Sequence, residues 1–295
     1  MSCTRGASVG AIRQLHASQN AQSQTYWDAF QDHRQRITDL VLDAAQKLQA
    51  ATKQDLSLAV LGAGNGNDLS IEPLLETFER SHLYDLDGEA LQRSKNRYAG
   101  QPAILQRVQW FDSVDITGVV DTIEQHGSAP AVIDEELLKR ATHPPKFTDQ
   151  HYDIVLSTCT LSQLVQSAVE IFGDKSPESL AFILAIRDGH LNLMLELMKP
   201  TAAGILVTDF VSSDTLPELL QPDLPQNQLT AVAQEAIRQR NFFTGANPVA
   251  ISMQLEKTLR QTDARFDLHL TPPWIWKWTD EKAFCVAAIR VLSMI

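Results

Sequence analysis

Leu56 to Leu61 (LSLAVL) is a short apolar run that opens directly into Gly62-Ala63-Gly64-Asn65-Gly66-Asn67-Asp68. Ile71, Leu74, Leu75 and Phe78 then follow at helical spacing, with Pro73 near the first turn of the helix they predict. Strand, glycine loop, helix is the expected local order. The unit repeats. His82–Leu86 reads as a second strand before a helix over Gly88–Tyr98, and Ile104–Phe111 as a third strand. Tyr152–Ser157 (YDIVLS) reads as a fourth, and Gly204–Phe210 (GILVTDF) as a fifth after a helical stretch from Ser179 to Met198. Strands that alternate with helices predict a parallel sheet covered on both faces. The end of the chain departs from this rule. Phe266–Trp276 and Ala283–Ser293 are β-rich runs separated only by Lys277–Lys282, too short for a crossover helix, so they are expected to pair antiparallel.

An amphipathic helix is expected ahead of the first strand, from Trp27 to Ala51, with Phe30, Ile37, Leu40, Val41, Ala44 and Leu48 on its apolar face. The domain reading is an N-terminal tail and helix over 1–52, packing on or lidding a core domain over 53–295. Insertions are placed at about 116–150, with a helical Asp134–Arg140 and the breaker His143-Pro144-Pro145, and at about 212–247, rich in Pro and Gln. Insertions at strand ends usually build substrate pockets.

At 295 residues and 44% hydrophobic, the chain has room for one large α/β domain with appendages. A net charge of -11 without any Lys/Arg run argues against a nucleic-acid partner. Cys3, Cys159 and Cys285 are far apart and lack Cys/His spacing, which excludes a disulfide framework and a structural zinc module and suits a reducing cytoplasm. No metal is expected. No apolar stretch approaches the roughly 18 residues of a membrane span, so no membrane partner is expected. The acid-free first 27 residues, with Arg5, Arg13 and several Ser, share the composition of a transit peptide, but the preferred reading is a frayed polar N-terminus.

The glycines lend the loop its chemistry. They permit a tight turn and let a ligand approach bare main chain. Their GxGxG spacing differs from the GxGxxG of dinucleotide loops, which point a helix N-terminus at a pyrophosphate. At the end of the second strand, Asp85 in Tyr84-Asp85-Leu86-Asp87 is placed to accept hydrogen bonds from both hydroxyls of a ribose, a role that an adenosine ligand of either kind would use. Asp87, ahead of Gly88-Glu89-Ala90, reads as a helix cap. After the third strand, Asp115 is preferred over Asp112 as an acceptor for an exocyclic amine of adenine.

In this order the segments resemble the class I S-adenosylmethionine (SAM)-dependent methyltransferase family: LAVLGAGNGND, YDLD, VQWFDSVDIT, YDIVLSTCTLSQL and LMKPTAAGILVTDF, over about 56–295. The resemblance implies a doubly wound, mainly parallel α/β sheet of seven strands in the order 3-2-1-4-5-7-6, with an antiparallel last strand. It implies SAM as cofactor and S-adenosylhomocysteine as product, lying across the C-terminal edge of the sheet. Gly62, Ala63, Gly64, Asn65 and Gly66 would then flank the methionine part. Asp85, with Leu86 beside it, would meet the ribose, Asp115 would lie near the adenine, and Ser157, Thr158 and Cys159 would lie beside the sulfonium.

The acceptor is left open between a small molecule and a protein. Methyl transfer from a sulfonium depends largely on positioning in a dry cleft and needs no catalytic dyad. Consistently, HExxH, GxSxG and P-loop patterns are absent. The Asn/Asp-Pro-Pro-aromatic motif of base-modifying members is replaced by Ser157-Thr158-Cys159-Thr160, and Thr271-Pro272-Pro273-Trp274 is expected to be a strand bend. Cys159 and Asp209 are the candidates for substrate contact. His190 is expected to be a satisfied, half-buried histidine, and His151 and Tyr152 lie at the wrong edge of the sheet for chemistry. Trp274, Trp276 and Trp278 share one face of a strand; packing against the N-terminal helix is preferred over flooring an apolar or cationic acceptor site. The rival readings are a non-catalytic SAM- or nucleoside-binding member of the same fold and an NAD(P)-dependent oxidoreductase.

Overall fold

The computed structural model describes residues 11–52, 54–125, 133–173, 176–261 and 265–293; Cys3 and Arg5 lie outside them. Two helices come first, α1 (Ala11–Ser23) and α2 (Gln31–Thr52). The sheet is built from β1 (Leu56–Leu61), β2 (Phe78–Tyr84), β3 (Val108–Phe111), β4 (Tyr152–Thr158), β5 (Met198–Ser212), β6 (Phe266–Leu270), β7 (Trp274–Lys277) and β8 (Ala283–Ser293). Between them run α3 (Gly88–Arg97), α4 (Pro102–Arg107), α5 (Val120–Gln125), α6 (Glu135–Thr142), α7 (Thr160–Phe172), α8 (Pro177–Glu196), α9 (Gln226–Arg238) and α10 (Pro248–Leu259).

The strand order is β3-β2-β1-β4-β5-β8-β6, with β7 also paired to β8. Pairing is parallel from β3 through β5, and β8 runs antiparallel to β5, β6 and β7. The expected doubly wound α/β sheet is therefore observed, with eight strands in place of seven. The extra strand arises at Thr271-Pro272-Pro273. Two prolines remove consecutive N–H donors from the ladder, so a single bent run becomes β6 on Phe266–Leu270 and β7 on Trp274–Lys277, both on the same strand β8. Thr271 bridges the break, its N–H donating to the Ala288 carbonyl and its Oγ1 accepting from the Ala288 N–H.

Side chains alternate across the sheet as the period of two requires. Leu58 and Val60 of β1 pack with Ile37, Val41, Ala44 and Ala45 of α2, while Ala59 and Leu61 join Leu161, Phe182 and Ile186 of α7 and α8 on the opposite face. A smaller third core forms where the segment after β5 folds back, around Phe210, Leu219, Leu229 and Ala236.

Three local expectations are overturned. No helix follows the glycine loop: Glu72–Leu74 makes a single 3-10 turn, Ile71 and Leu74 are buried as loop anchors, and Phe78 begins β2. Pro73 and the eleven or so residues available leave no room for a helix that also returns to the sheet. The third strand is shorter than expected because Pro102–Arg107 closes a helical turn, and only Val108–Phe111 pairs with β2. The N-terminal tail, expected to fray, contains α1, which packs against α3, α5 and α7.

Candidate functional site

The order of strands reverses between β1 and β4, and loops leaving the two strands diverge there to open a crevice at their C-terminal ends. Gly62 takes φ +70° so that the chain turns sharply off β1, and its N–H and that of Ala63 both donate to the Tyr84 carbonyl (2.9 and 3.1 Å). Gly64, at φ +48°, presents its N–H to Asp85 Oδ2 at 2.7 Å. Gly66 closes the turn on the Ala63 carbonyl.

Charged side chains hold the loop from outside. Arg97 donates to the carbonyls of Asn65 and Gly66 and to Asn67 Oδ1, and Arg34 to the carbonyl of Asn67. Their guanidinium carbons lie 3.6 Å (Arg34) and 3.8 Å (Arg97) from the centroid of the Trp27 ring. Helix α1 covers the loop: Asn65 donates to the Asn20 carbonyl at 2.6 Å, Asn67 to that of Ser23 at 2.7 Å, and Asn20 Nδ2 to Asp87 Oδ2 at 3.0 Å. Asp87 also caps α3 through the N–H groups of Glu89 and Ala90, the role expected of it.

Two spaces meet at this edge. The larger is a cavity of about 650 Å³ lined by Gly62, Ala63, Gly64, Asn65, Thr158, Cys159 and Asp209, and further by Asp68, Ser162, Phe30, Trp276, Trp278 and Phe284. The smaller is a slot of about 20 Å³ beyond Gly62, lined by Asp85, Leu86, Asp115 and Ile116 and roofed by His16 of α1. Gly62 and Gln163 line both. The slot is too narrow for a nucleoside, so a ligand that reached Asp85 and Asp115 would have to lift the His16 end of α1.

Of the expected site residues, Ser157 and Gly66 line neither space. The Ser157 hydroxyl is fully buried and lies 2.8 Å from His190 Nε2. His190 is thus completely buried instead of half-buried; burial lowers its pKa to about 4, and its Nδ1 has no partner. Asp115 lines the slot, but its carboxylate already accepts from the Thr117 N–H and hydroxyl and the Val120 N–H, which anchors the turn into α5. Asp85 is buried and accepts from Gly64 and Asp87 N–H groups; burial raises its pKa to about 6 despite those bonds. A carboxylate offers about four lone-pair positions, so both acids retain acceptor capacity.

Cys159 sits at φ +50° at the head of α7, and burial, with Asp209 and Asp68 nearby, pushes its thiol well above the ordinary range. It is an unreactive thiol at neutral pH. Asp209 accepts a 2.5 Å hydrogen bond from Ser162, and burial raises its pKa to about 6.

Sequence reasoning missed Asp68. Its side chain is 21% exposed, Oδ1 has no hydrogen-bond partner, and the nearest base, His33 Nε2, stands 3.7 Å away. Burial first, then the charge of Asp209, raises Asp68 to about 7, while Arg34 draws it back; burial holds His33 near 3, uncharged. The available signal was an acid ending the glycine motif.

Because the folded pKa of Asp68 exceeds that of an unfolded aspartate, the native state binds the extra proton between about pH 4 and 7, and Asp68 costs stability as pH rises through that window. The expected result for Asp68→Asn is a stability relative to the parent that improves by roughly 2 kcal/mol between about pH 4.5 and 8 in urea titrations without ligand. A difference independent of pH would show that Asp68 titrates as an ordinary surface acid.

The tryptophan face packs on the N-terminal helix, as preferred. Trp274 donates to His33 Nδ1 at 3.1 Å, and Trp276 stacks on His33 with ring centroids 4.3 Å apart, so the face packs on α2. Trp276 and Trp278 also line the cavity.

Among the described residues, no helix is long and apolar enough to cross a membrane, and no group of three or more His, Cys, Asp or Glu could hold a metal. No protein-family model and no curated protein matches the sequence. Solved structures similar to the chain include the magnesium protoporphyrin IX methyltransferase of Synechocystis PCC 6803 with bound SAH, at 11% identity over 90% of this chain and 86% of that one, TM-score 0.44. Another is the plantazolicin methyltransferase in complex with a pentazolic desmethyl analogue and SAH, at 10% identity over 97% and 100%, TM-score 0.44. A third is the N-methyltransferase NodS of Bradyrhizobium japonicum WM9 with S-adenosyl-L-homocysteine, at 11% identity over 83% of each chain, TM-score 0.39.

Proposed function

We propose that this chain is a class I SAM-dependent methyltransferase acting on a small-molecule or protein acceptor. The observation that carries the reading is the pairing of two spaces around Gly62: a narrow one bounded by the strand-end acids Asp85 and Asp115, and a wide one bounded by bare glycine main chain and the ends of β4 and β5. A nucleoside joined to an amino-acid tail needs this division into an acidic slot and a roomier chamber. The tail would lie along Gly62–Gly64 and Thr158, with the adenosine between Leu86 and Ile116 once α1 has lifted off the slot.

When bound, SAM supplies an electrophilic methyl group on a charged leaving group. The protein's share is binding, orientation and exclusion of water. Asp85 fixes the loop through Gly64 and would receive ribose hydroxyls. Asn20 and His16 of α1 close the crevice from above, and on this reading α1 and α2 would brace and lid a SAM-binding domain over 53–295. A reducing compartment such as the cytoplasm suits the buried free thiols of Cys159 and Cys285.

The test is a thermal-shift titration with SAM, S-adenosylhomocysteine and NAD. A ligand at about 100 times its dissociation constant adds roughly 2.7 kcal/mol, enough to raise the midpoint by several degrees. The expected result is a shift with both sulfur nucleosides and none with NAD. A shift with NAD alone, or with none of the three, contradicts the reading.

A further inference from the structure

Four rings stand together on the wall of the large cavity. Phe30 lies 4.9 Å from Trp276 and 5.5 Å from Trp278, the two indoles are 5.2 Å apart, and Phe284 is within 5.7 Å of Trp276 and 5.4 Å of Trp278. All four line the cavity. The same cavity is lined by three carboxylates, Asp68, Asp209 and Asp214, and one cationic side chain, Lys282. Lys282 is already paired with Asp214 and lies over the Phe284 ring, 5.2 Å from its centroid, so the two indoles and Phe30 are, among the described residues, the rings without a resident cation. No lysine or arginine among the described residues forms an ion pair with Asp68 or Asp209; Asp68 has the uncharged His33 at 3.7 Å and feels Arg34 only at longer range.

Three buried polar groups on this wall lack partners: Asp68 Oδ1 and the indole Nε1 atoms of Trp276, a residue only 5% exposed, and of Trp278. A packed core satisfies such groups, and leaving one bare is costly. The cavity therefore presents π-faces and two carboxylates without an ion-pair partner on its walls, with two indole donors beside them. An organic cation is the ligand class that both kinds of wall attract.

We propose that the chamber bounded by Phe30, Trp276, Trp278 and Phe284 and by Asp68 and Asp209 is an acceptor subsite for an organic amine in its ammonium form. As a statement about the reaction this rests on the proposed function; as a statement about binding it does not. The ammonium gains from the rings and from the two carboxylates, whose burial is what makes a neutral ligand the poorer partner. To accept a methyl group the ammonium must first lose one proton. The N–H bond breaks with its electron pair left on nitrogen, and the proton passes to the Asp209 carboxylate and from there to solvent. The nitrogen–carbon bond then forms as the carbon–sulfur bond of the sulfonium breaks, its electron pair going to sulfur.

The test compares phenethylamine with 2-phenylethanol, of similar shape but uncharged, by quenching of tryptophan fluorescence and by calorimetry near neutral pH. Both are titrated into the full chain with and without S-adenosylhomocysteine. The amine is expected to bind at least about tenfold more tightly than the alcohol, and both Asp209→Asn and Trp278→Leu, checked for native melting, are expected to narrow that preference. Equal binding, tighter binding of the alcohol, or no binding of either in the parent chain overturns the inference whatever the variants do. Amine preference without any S-adenosylhomocysteine binding would remove the proposed function and leave the cation subsite standing. The converse would remove only the subsite.

Discussion

Replacing Gly62 with alanine lowers the stability of the chain by about 3 kcal/mol and abolishes cofactor binding. The backbone there stands at φ +70°, and a Cβ would fall 1.9 Å from Thr160 Oγ1. Thr160 has little freedom to yield. It is buried in the first turn of α7, and its hydroxyl donates to the carbonyls of Leu61 and Thr158, tying the end of β1 to that of β4. The added methyl must therefore either break those bonds or move the loop away from Asp85. Urea unfolding measures the first consequence and S-adenosylhomocysteine titration the second. A variant with parental stability and affinity would mean that the turn off β1 is neither strained nor crowded.

Asp85→Ala is expected to reduce stability by about 2 kcal/mol and to weaken S-adenosylhomocysteine binding by tenfold or more. Two buried N–H groups, those of Gly64 and Asp87, lose their acceptor, and each stranded donor costs about 1 to 3 kcal/mol. Removing a buried carboxylate whose pKa is raised to about 6 returns part of that cost, so the net falls short of the sum. The affinity loss has two sources, the missing ribose acceptor and a glycine loop no longer tied to β2. Unchanged affinity with lowered stability would assign Asp85 to loop architecture alone.

Much of the architecture was legible because hydrophobic period and strand-end residues point the same way. β1 and β4 are short apolar runs ending at turn residues, and the antiparallel tail followed from a connection too short to cross over. The misreadings have specific physical origins. Ile71, Leu74, Leu75 and Phe78 mimic a helix face, yet they belong to a loop anchor and a strand start, where spacing alone cannot reveal that Pro73 and the reach back to β2 forbid a helix. Helix α1 carries no apolar stripe beyond Ile12; the residues it turns toward the glycine loop and slot are His16 and Asn20, one helical turn apart. A face that packs through hydrogen bonds leaves no trace in hydrophobic periodicity.

The candidate site divides the same way. Asp85 was readable from its place at a strand end, and the structure puts it under Gly64. Ser157, expected there only from the family resemblance, points to the other face, because side chains alternate along β4 and its neighbour Thr158 takes the cavity. Asp68 was invisible as a functional group since its character comes from burial and from Asp209, distant in sequence. The tryptophan stripe was seen, but not that Trp276 stacks on His33 of α2 while it and Trp278 also line the cavity.

The most direct test of the central claim is calorimetric titration of S-adenosylhomocysteine into the parent chain and into Gly64→Arg, whose side chain would start 2.9 Å from Asn20 Oδ1 and occupy the seam between the loop and α1. The account predicts single-site binding in the parent, loss of that binding in the variant, and no heat with NAD in either. Absence of binding in the parent, or binding undiminished in Gly64→Arg, would contradict a cofactor site at the C-terminal edge of β1.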